Sequence, residues 1–401
     1  MLPEALARHD RHAELEILVT CSRVTLSAED AAHLAVRLAA DLDWDYVLRA
    51  GNVNGILPLL HRHLITGGAS TVAPEMQAKL RQRQAASTQA GLLLTAALVE
   101  ALRALADAGI EAIPFKGPLL AAAVYGDLGL RPFRDIDVLV RPGDLPTAVE
   151  RLERSGWAVA PGQGPLAGRL RCAWVSDLAL ARGASLLELH WRLTQPYFGI
   201  ADTLDDVAGE LVAAEVAGLA VRTLSPTALL FYLCVHGATH RWCRIEWICD
   251  VAEMLRRETP IDWDRLRQRA RSHGAERMLG LGVLLACDLL GAPLPAELAH
   301  LARRGAVRSL ARAVYRHLPD ENPDPNPGLK LAPFHLAMRE RLRDRTRYAA
   351  TVLFAPSPLD LEAVPLPPVL YPLYFAVRPF RLAVSHAGHV LRRRRPVPPP
   401  T

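Results

Sequence analysis

Arg131-Pro132-Phe133-Arg134-Asp135-Ile136-Asp137-Val138-Leu139-Val140 is the stretch on which the reading of this chain turns. Its aliphatic second half predicts a strand over Arg134–Val140. Alternate side chains of a strand share a face, so Asp135 and Asp137 are expected on one side with Ile136 behind them. Two carboxylates so placed repel each other, and burying either without a partner is costly. A hard divalent cation, Mg²⁺ or in its place Mn²⁺, resolves the conflict, since it takes oxygen ligands and keeps positions open for phosphate oxygens and water. Phosphoryl-type transfer needs that arrangement, because charge builds up on the leaving pyrophosphate. A D-x-D pair also arises by chance on solvated strands, so alone it decides nothing.

Three neighbours add weight. Ser185-Leu-Leu-Glu188-Leu-His190-Trp-Arg192 alternates as a strand, with Glu188, His190 and Arg192 on one face and Leu187, Leu189 and Trp191 on the other. Glu188 would then be a third carboxylate, binding a second metal or acting as base on an acceptor hydroxyl. A solvent-facing edge strand would show the same alternation. Lys116-Gly117 closes a strand over Ile110–Phe115, where glycine lets backbone N–H groups approach a phosphate and lysine supplies charge. Arg131 and Arg134 flank the aspartates, placed to clamp phosphates or to pair with the carboxylates. The candidate metal ligands and catalytic groups are Asp135, Asp137 and Glu188, and the candidate nucleotide contacts are Lys116, Gly117, Arg131, Arg134 and His190.

Outward from this centre the texture is helical. Residues 1–86 are Ala-rich with apolar positions at three-to-four spacing; Ser87–Ala108 carries the stripe Leu94, Leu98, Leu102, Leu105, with Gly109 where a C-terminal cap belongs. Within 87–195 helices and strands mix: a brief helix over Leu119–Tyr125, a helix over Leu145–Ser155, and strands over Trp157–Ala160, Cys172–Leu180 and Ser185–Trp191. From about Asp202 the pattern reads as helical again through 196–345, with Ser225-Pro226 opening a helix towards His240. Residues 346–401 form a basic, Pro/Arg-rich end. The expected fold is α+β, a small mixed sheet between N-terminal and C-terminal helical regions.

Taken as an ordered set, Ile113-Pro-Phe-Lys116-Gly117-Pro-Leu, Tyr125, Arg131, Asp135-Ile-Asp137-Val-Leu-Val and Glu188-Leu-His190-Trp-Arg resemble the uncharacterised bacterial nucleotidyltransferase family of the DNA polymerase β-like superfamily. The resemblance covers roughly residues 87–195 and extends loosely into His236-Gly-Ala-Thr-His240-Arg-Trp242 and Trp247-Ile-Cys-Asp250. It implies a metal-dependent nucleotidyltransferase core that moves a nucleoside monophosphate from a nucleoside triphosphate, ATP first among them, to an acceptor hydroxyl or phosphate. It also implies that Lys116-Gly117 stands where better-known members have a Gly-Ser turn. Two departures are evident: Pro118 follows the glycine and lacks an N–H, and the third acid is Glu188 where aspartate is usual. The acceptor class stays open between a small molecule, a modified peptide, a saccharide and tRNA. The competing readings are a tRNA-directed, toxin-like nucleotidyltransferase and a non-catalytic nucleotide sensor or scaffold.

His236 and His240 share one helical face at metal-ligand spacing, but Gly237 stands where a zincin would need glutamate. Packing, or lining of the nucleotide or acceptor pocket, are the alternatives, with Trp242 and Trp247 expected in the core. The net charge of +5 comes almost wholly from arginine, as a GC-rich genome also produces. Cys21, Cys172, Cys234, Cys243, Cys249 and Cys287 lack paired zinc-site spacing and sit among apolar residues, as reduced core thiols do. With Glu4, Asp10, Glu14 and Glu16 near the start and no run of 18 apolar residues, the expectation is a cytoplasmic chain without a transmembrane segment. The tail, with Arg378, Arg381 and Arg392–Arg395, would allow a weak contact with an anionic membrane surface.

Overall fold

The computed structural model describes residues 9–66, 72–161, 175–200, 202–319, 332–356 and 366–393, with positions 3, 6, 360, 363 and 364 besides. It is α+β: a five-stranded mixed sheet among helices, with a separate two-stranded hairpin. The strands of the sheet are β1 (Ile113–Pro114), β2 (Ile136–Leu139), β3 (Ala158–Val159), β4 (Asp177–Arg182) and β5 (Ser185–His190), in the order β1-β2-β5-β4-β3. β2 and β5 are parallel and the other pairs antiparallel. The parallel register sets Asp137 opposite Glu188 and Leu139 opposite His190.

Alternation decides which face is which. Ile136 and Val138 of β2 and Leu187 and Leu189 of β5 point into one apolar core with Leu94, Leu98, Leu102 and Leu105. Those leucines lie on the long helix Pro74–Asp107, which also meets Leu145–Arg154 across this face. By length and composition the long helix could cross a membrane, but half of its apolar window is buried, as in a core helix. It begins thirteen residues before the expected Ser87, at Pro74, where proline is accommodated at the first position. Gly109, at φ +73°, ends it as expected.

The opposite face of the sheet carries Asp137, Glu188 and His190 and looks towards two helices, α1 (Pro226–Thr239) and α2 (Ile245–Arg256). Ser225 caps α1 by accepting from the Ala228 N–H, as its sequence predicts. α1 is buried almost all round, and Gly237 lets the Trp242 ring lie against it: a Cβ there would stand 2.5 Å from that ring. α2 is held at its start by the N-terminal helical region. Asn54 accepts from Ile245 N through its side chain and from Glu246 N through its carbonyl, both at 3.0 Å. One apolar core therefore runs from the N-terminal helices through Phe115, Tyr125 and α1 to Leu318.

The expectation of continuous helix after Asp202 is corrected by β6 (Leu211–Val216) and β7 (Leu219–Leu224), an antiparallel hairpin. Its alanines and Glu215 favour helix, but Ala217 and Gly218 both take positive φ (47° and 79°), the two-residue turn that matches strand twist. The helix expected over Leu119–Tyr125 is one turn, Pro118–Leu120, continued by a wider π turn over Ala121–Tyr125. The Cys172–Leu180 strand is found as Asp177–Arg182, and residues 172–174 lie outside the described ones, as do Arg394 and Arg395. Among the described residues the five cysteines are free thiols, four of them buried.

Candidate functional site

Between the acidic face of the sheet and α1 and α2 lies a cavity of about 410 Å³. Its floor is built from strand ends. Asp137 stands within β2 and is 2 % exposed, with neighbours on both sides of its strand. Asp135 lies one residue before β2 begins, at the bend that leads into the strand, and lines the cavity beside it. The strand is shorter than the sequence predicts, yet both aspartates reach the same space. Glu188 comes from β5, half-buried and directly across from Asp137.

The Asp137 carboxylate is the hub. Its Oδ1 accepts from Lys116 Nζ at 2.9 Å and lies 3.2 Å from His190 Nε2. His190 Nε2 also lies 3.4 Å from Glu188 Oε2. Burial alone would push Asp137 up, but Lys116 and His190 overcome it and hold the carboxyl well below the usual range. Asp135 moves the other way: burial and the charge of Asp137 both raise it, against the pull of Lys116. The two aspartates therefore titrate far apart, as like charges in one site must. Burial would lower His190, yet its hydrogen bonds to Asp137 and Glu188 and the charge of Asp177 raise it to about 10. Burial opposes charge on Lys116 too, but Asp137 and its acidic neighbours raise it.

Two buried atoms of this hub are left without a hydrogen-bond partner, His190 Nδ1 and the carboxylate oxygen Asp137 Oδ2. Such an oxygen is expensive to leave unpaired, and a cation is the partner that suits a carboxylate beside a second and third acid. Asp137, Glu188 and His190 offer ligand atoms within 4.8 Å of one another and could hold a divalent metal.

The remaining candidates fall into place unevenly. Gly117 has φ +56° and ψ −126°, a conformation reserved for glycine, and lines the cavity next to Lys116. Arg134 is exposed at the cavity and donates to Asn52 O at 3.4 Å. Arg131 also lines it but pairs with neither Asp135 nor Asp137: its Nε and Nη2 reach Asp250 Oδ1 and Oδ2 of α2 at 2.7 and 2.9 Å. The Tyr125 hydroxyl donates to the same Asp250 at 2.7 Å, and Asp250 is fully buried. Arg192 lies beyond the end of β5.

Sequence reading passed over two parts of the cavity. Asp177 of β4, opposite His190 in the register, lines it with Ser176 and Gln195 and accepts from both, at 2.7 and 2.9 Å. The partner strand of β5 was the only signal for it. Trp247, expected in the core, is 8 % exposed, and that fraction faces the cavity with His236 and His240; Trp242 is fully buried. His236 and His240 pack ring to ring at 4.6 Å, and burial followed by the charge of Lys116 holds His236 well below the ordinary histidine range.

Comparison with known proteins gives one match. The profile of a family described as uncharacterised nucleotidyltransferase matches residues 40–291, which include every group of the cavity named above. No curated protein and no solved structure matches the chain.

Proposed function

Because this chain belongs to the uncharacterised nucleotidyltransferase family, we propose that it is a metal-dependent nucleotidyltransferase of the DNA polymerase β-like kind. It would move a nucleoside monophosphate from a nucleoside triphosphate, ATP first among them, to an acceptor with release of pyrophosphate. The observation that carries this reading is the unpartnered, buried Asp137 Oδ2 with Glu188 directly across the strand pair and Asp135 beside it. These three carboxylates would hold Mg²⁺ or Mn²⁺. Such an ion, when bound, supplies charge neutralisation on the phosphates.

The chain's own groups divide the rest of the work. Lys116 brings a positive charge to the phosphate end from a buried position, and the Gly117 backbone gives close approach without a Cβ. His190 keeps Asp137 ionised and oriented. Glu188, half-buried and 3.4 Å from His190 Nε2, would bind a second metal or take the proton of an acceptor hydroxyl.

Calorimetric titration of Mg²⁺ or Mn²⁺ with each nucleoside triphosphate tests the reading. Wild-type protein binds a triphosphate only with metal present, and the folded Asp135→Asn/Asp137→Asn variant does not. Absence of any triphosphate binding in the wild type would remove the chemical core of the proposal. A non-catalytic nucleotide sensor is the second reading, favoured by the balance of Asp137 and Glu188 against Lys116 and His190 within the chain itself. ATP binding without pyrophosphate release under every acceptor condition would establish it instead.

A further inference from the structure

Exposed apolar side chains and unbalanced positive charge gather in the same part of the chain. From Leu342 onward there are nine arginines against three acids, Asp344, Asp360 and Glu362, a balance of +6 in a chain whose whole net charge is +5. The same stretch supplies nine of the fifteen large apolar side chains exposed among the described residues. Scattered singly such residues mean little, but their concentration beside charge of one sign marks a contact surface.

Two helices carry it, α3 (Leu342–Phe354) and α4 (Tyr374–Arg393), which pack on each other. On α3, Tyr348 and Val352 are buried, while Arg343, Arg347, Ala350 and Phe354 recur at three-to-four spacing on the exposed side. On α4, Tyr374 and Arg378 are buried. Its exposed side carries Ala376, Phe380 and Ala383, in line with Leu373 of the preceding turn. Phe380 is 74 % exposed, and Val369 in that turn is 80 % exposed. A solvated helix shows the reverse pattern, apolar inward and polar outward. The inward charges are satisfied inside the chain. Arg378 donates to Val352 O at 2.9 Å and to Asp360 Oδ2 at 2.8 Å, and Arg381 donates to Asp360 Oδ1. These two arginines, which sequence alone counts with the basic tail, therefore hold α4 in place. The charge left for a partner comes from Arg347 on α3 and from Arg392–Arg395.

We propose that this face docks on an anionic phospholipid surface, with Leu373 and Phe380 entering the boundary between headgroups and acyl chains and the arginines held by lipid phosphates. An apolar row bordered by arginine is the pattern of a helix that lies in the membrane interface. Arginine beside such a surface is drawn to anionic lipid. A second copy of the chain fits poorly, since two faces of the same charge would oppose each other. A nucleic acid would engage the arginines but would leave Val369, Leu373 and Phe380 in water. The inference concerns where the protein sits, and it stands apart from the chemistry of the cavity.

The test is sedimentation of the full chain with vesicles, either of phosphatidylcholine alone or of equal parts phosphatidylcholine and phosphatidylglycerol. Binding is expected to the mixed vesicles only, and to fall as salt is added. Phe380→Ser should weaken it roughly 10- to 100-fold, the worth of one buried aromatic side chain. Arg392→Ala/Arg393→Ala should weaken it roughly 25-fold, at about 5-fold for each arginine near the surface. Arg103→Ala, which removes an exposed charge from the long helix Pro74–Asp107, should leave it unchanged. Circular dichroism confirms that each variant is folded; if Phe380→Ser is not, Leu373→Ser takes its place. No binding to the mixed vesicles, or equal binding to both kinds, overturns the proposal. So does a folded Phe380→Ser variant that binds as wild type does, which would mark a polyanion site of the nucleic-acid kind. A dimer in size-exclusion chromatography that Phe380→Ser dissolves would assign the face to a second copy of the chain and overturn it as well.

Discussion

Replacing Asp250 by leucine tests whether the floor of the cavity is held to its helical wall by a buried charge pair. Asp250 is fully buried and accepts from Arg131 Nε, Arg131 Nη2 and the Tyr125 hydroxyl, at 2.7, 2.9 and 2.7 Å. Arg131 is itself only 7 % exposed, so Asp250→Leu strands a guanidinium that is almost wholly buried. Breaking a buried pair from one side costs about 3–5 kcal/mol, whereas replacing both partners by apolar groups is often neutral. Asp250→Leu/Arg131→Met should therefore recover most of that loss, short of the roughly 1–3 kcal/mol for a buried Tyr125 hydroxyl without an acceptor. Adding Tyr125→Phe should return that remainder. The assay is urea unfolding followed by tryptophan fluorescence, read as a mutant cycle. A cost below about 1 kcal/mol for Asp250→Leu, against the 3–5 kcal/mol expected, would refute the reasoning. So would additive losses in the double variant.

Three further outcomes are expected. Gly117→Ala should destabilise by about 1–3 kcal/mol from backbone strain and weaken triphosphate binding: a Cβ there meets nothing closer than 3.6 Å, so φ and not space is the obstacle, and thermal melts with calorimetry read both effects. Ala217→Asn should raise stability by a few tenths to about 1 kcal/mol, because position 217 sits at φ 47° in a two-residue turn that favours asparagine; an unchanged melting temperature would count against that turn. Burial, with Arg339 next, lowers His335 from 6.5 to about 4. The unfolded chain then binds the extra proton first, so this stability is fully present above about pH 6.5 and is lost as the pH falls towards 4, by about 3 kcal/mol in all. Acid titration of His335→Gln should lack that component of the slope.

The acidic centre was legible because its logic is local. Asp137 and Glu188 alternate with Ile136, Leu187 and Leu189, and that alternation alone sends apolar groups to one core and carboxylates to the other face. Ser225 and Gly109 were legible for the same reason, since caps are read over a few residues. What escaped depends on distant partners. Nothing near Arg131 announces Asp250, because that pair forms only when the strand loop meets a helix more than a hundred residues away. Asp177 gains its place from register with His190, and Trp247 from the α1 face opposite it. The β6–β7 hairpin was hidden by alanine and glutamate, whose helix propensity yields here to a turn and to cross-strand pairing.

The parallel pairing of β2 with β5 also bears on when the protein becomes competent. Asp137 and Glu188 meet across strands about fifty residues apart in the chain, with the helix Leu145–Arg154 and strands β3 and β4 among the described elements between them. Contacts of that sequence separation close late, after local helices and hairpins have formed. A ribosome-bound chain ending before Glu188 therefore holds two of the three carboxylates of the acidic centre. It gains the third only when β5 slots between strands already made. Ligand capture at this site would then act as a clock for core folding, turning on only after β5 has joined the sheet and α1 and α2 have closed over it.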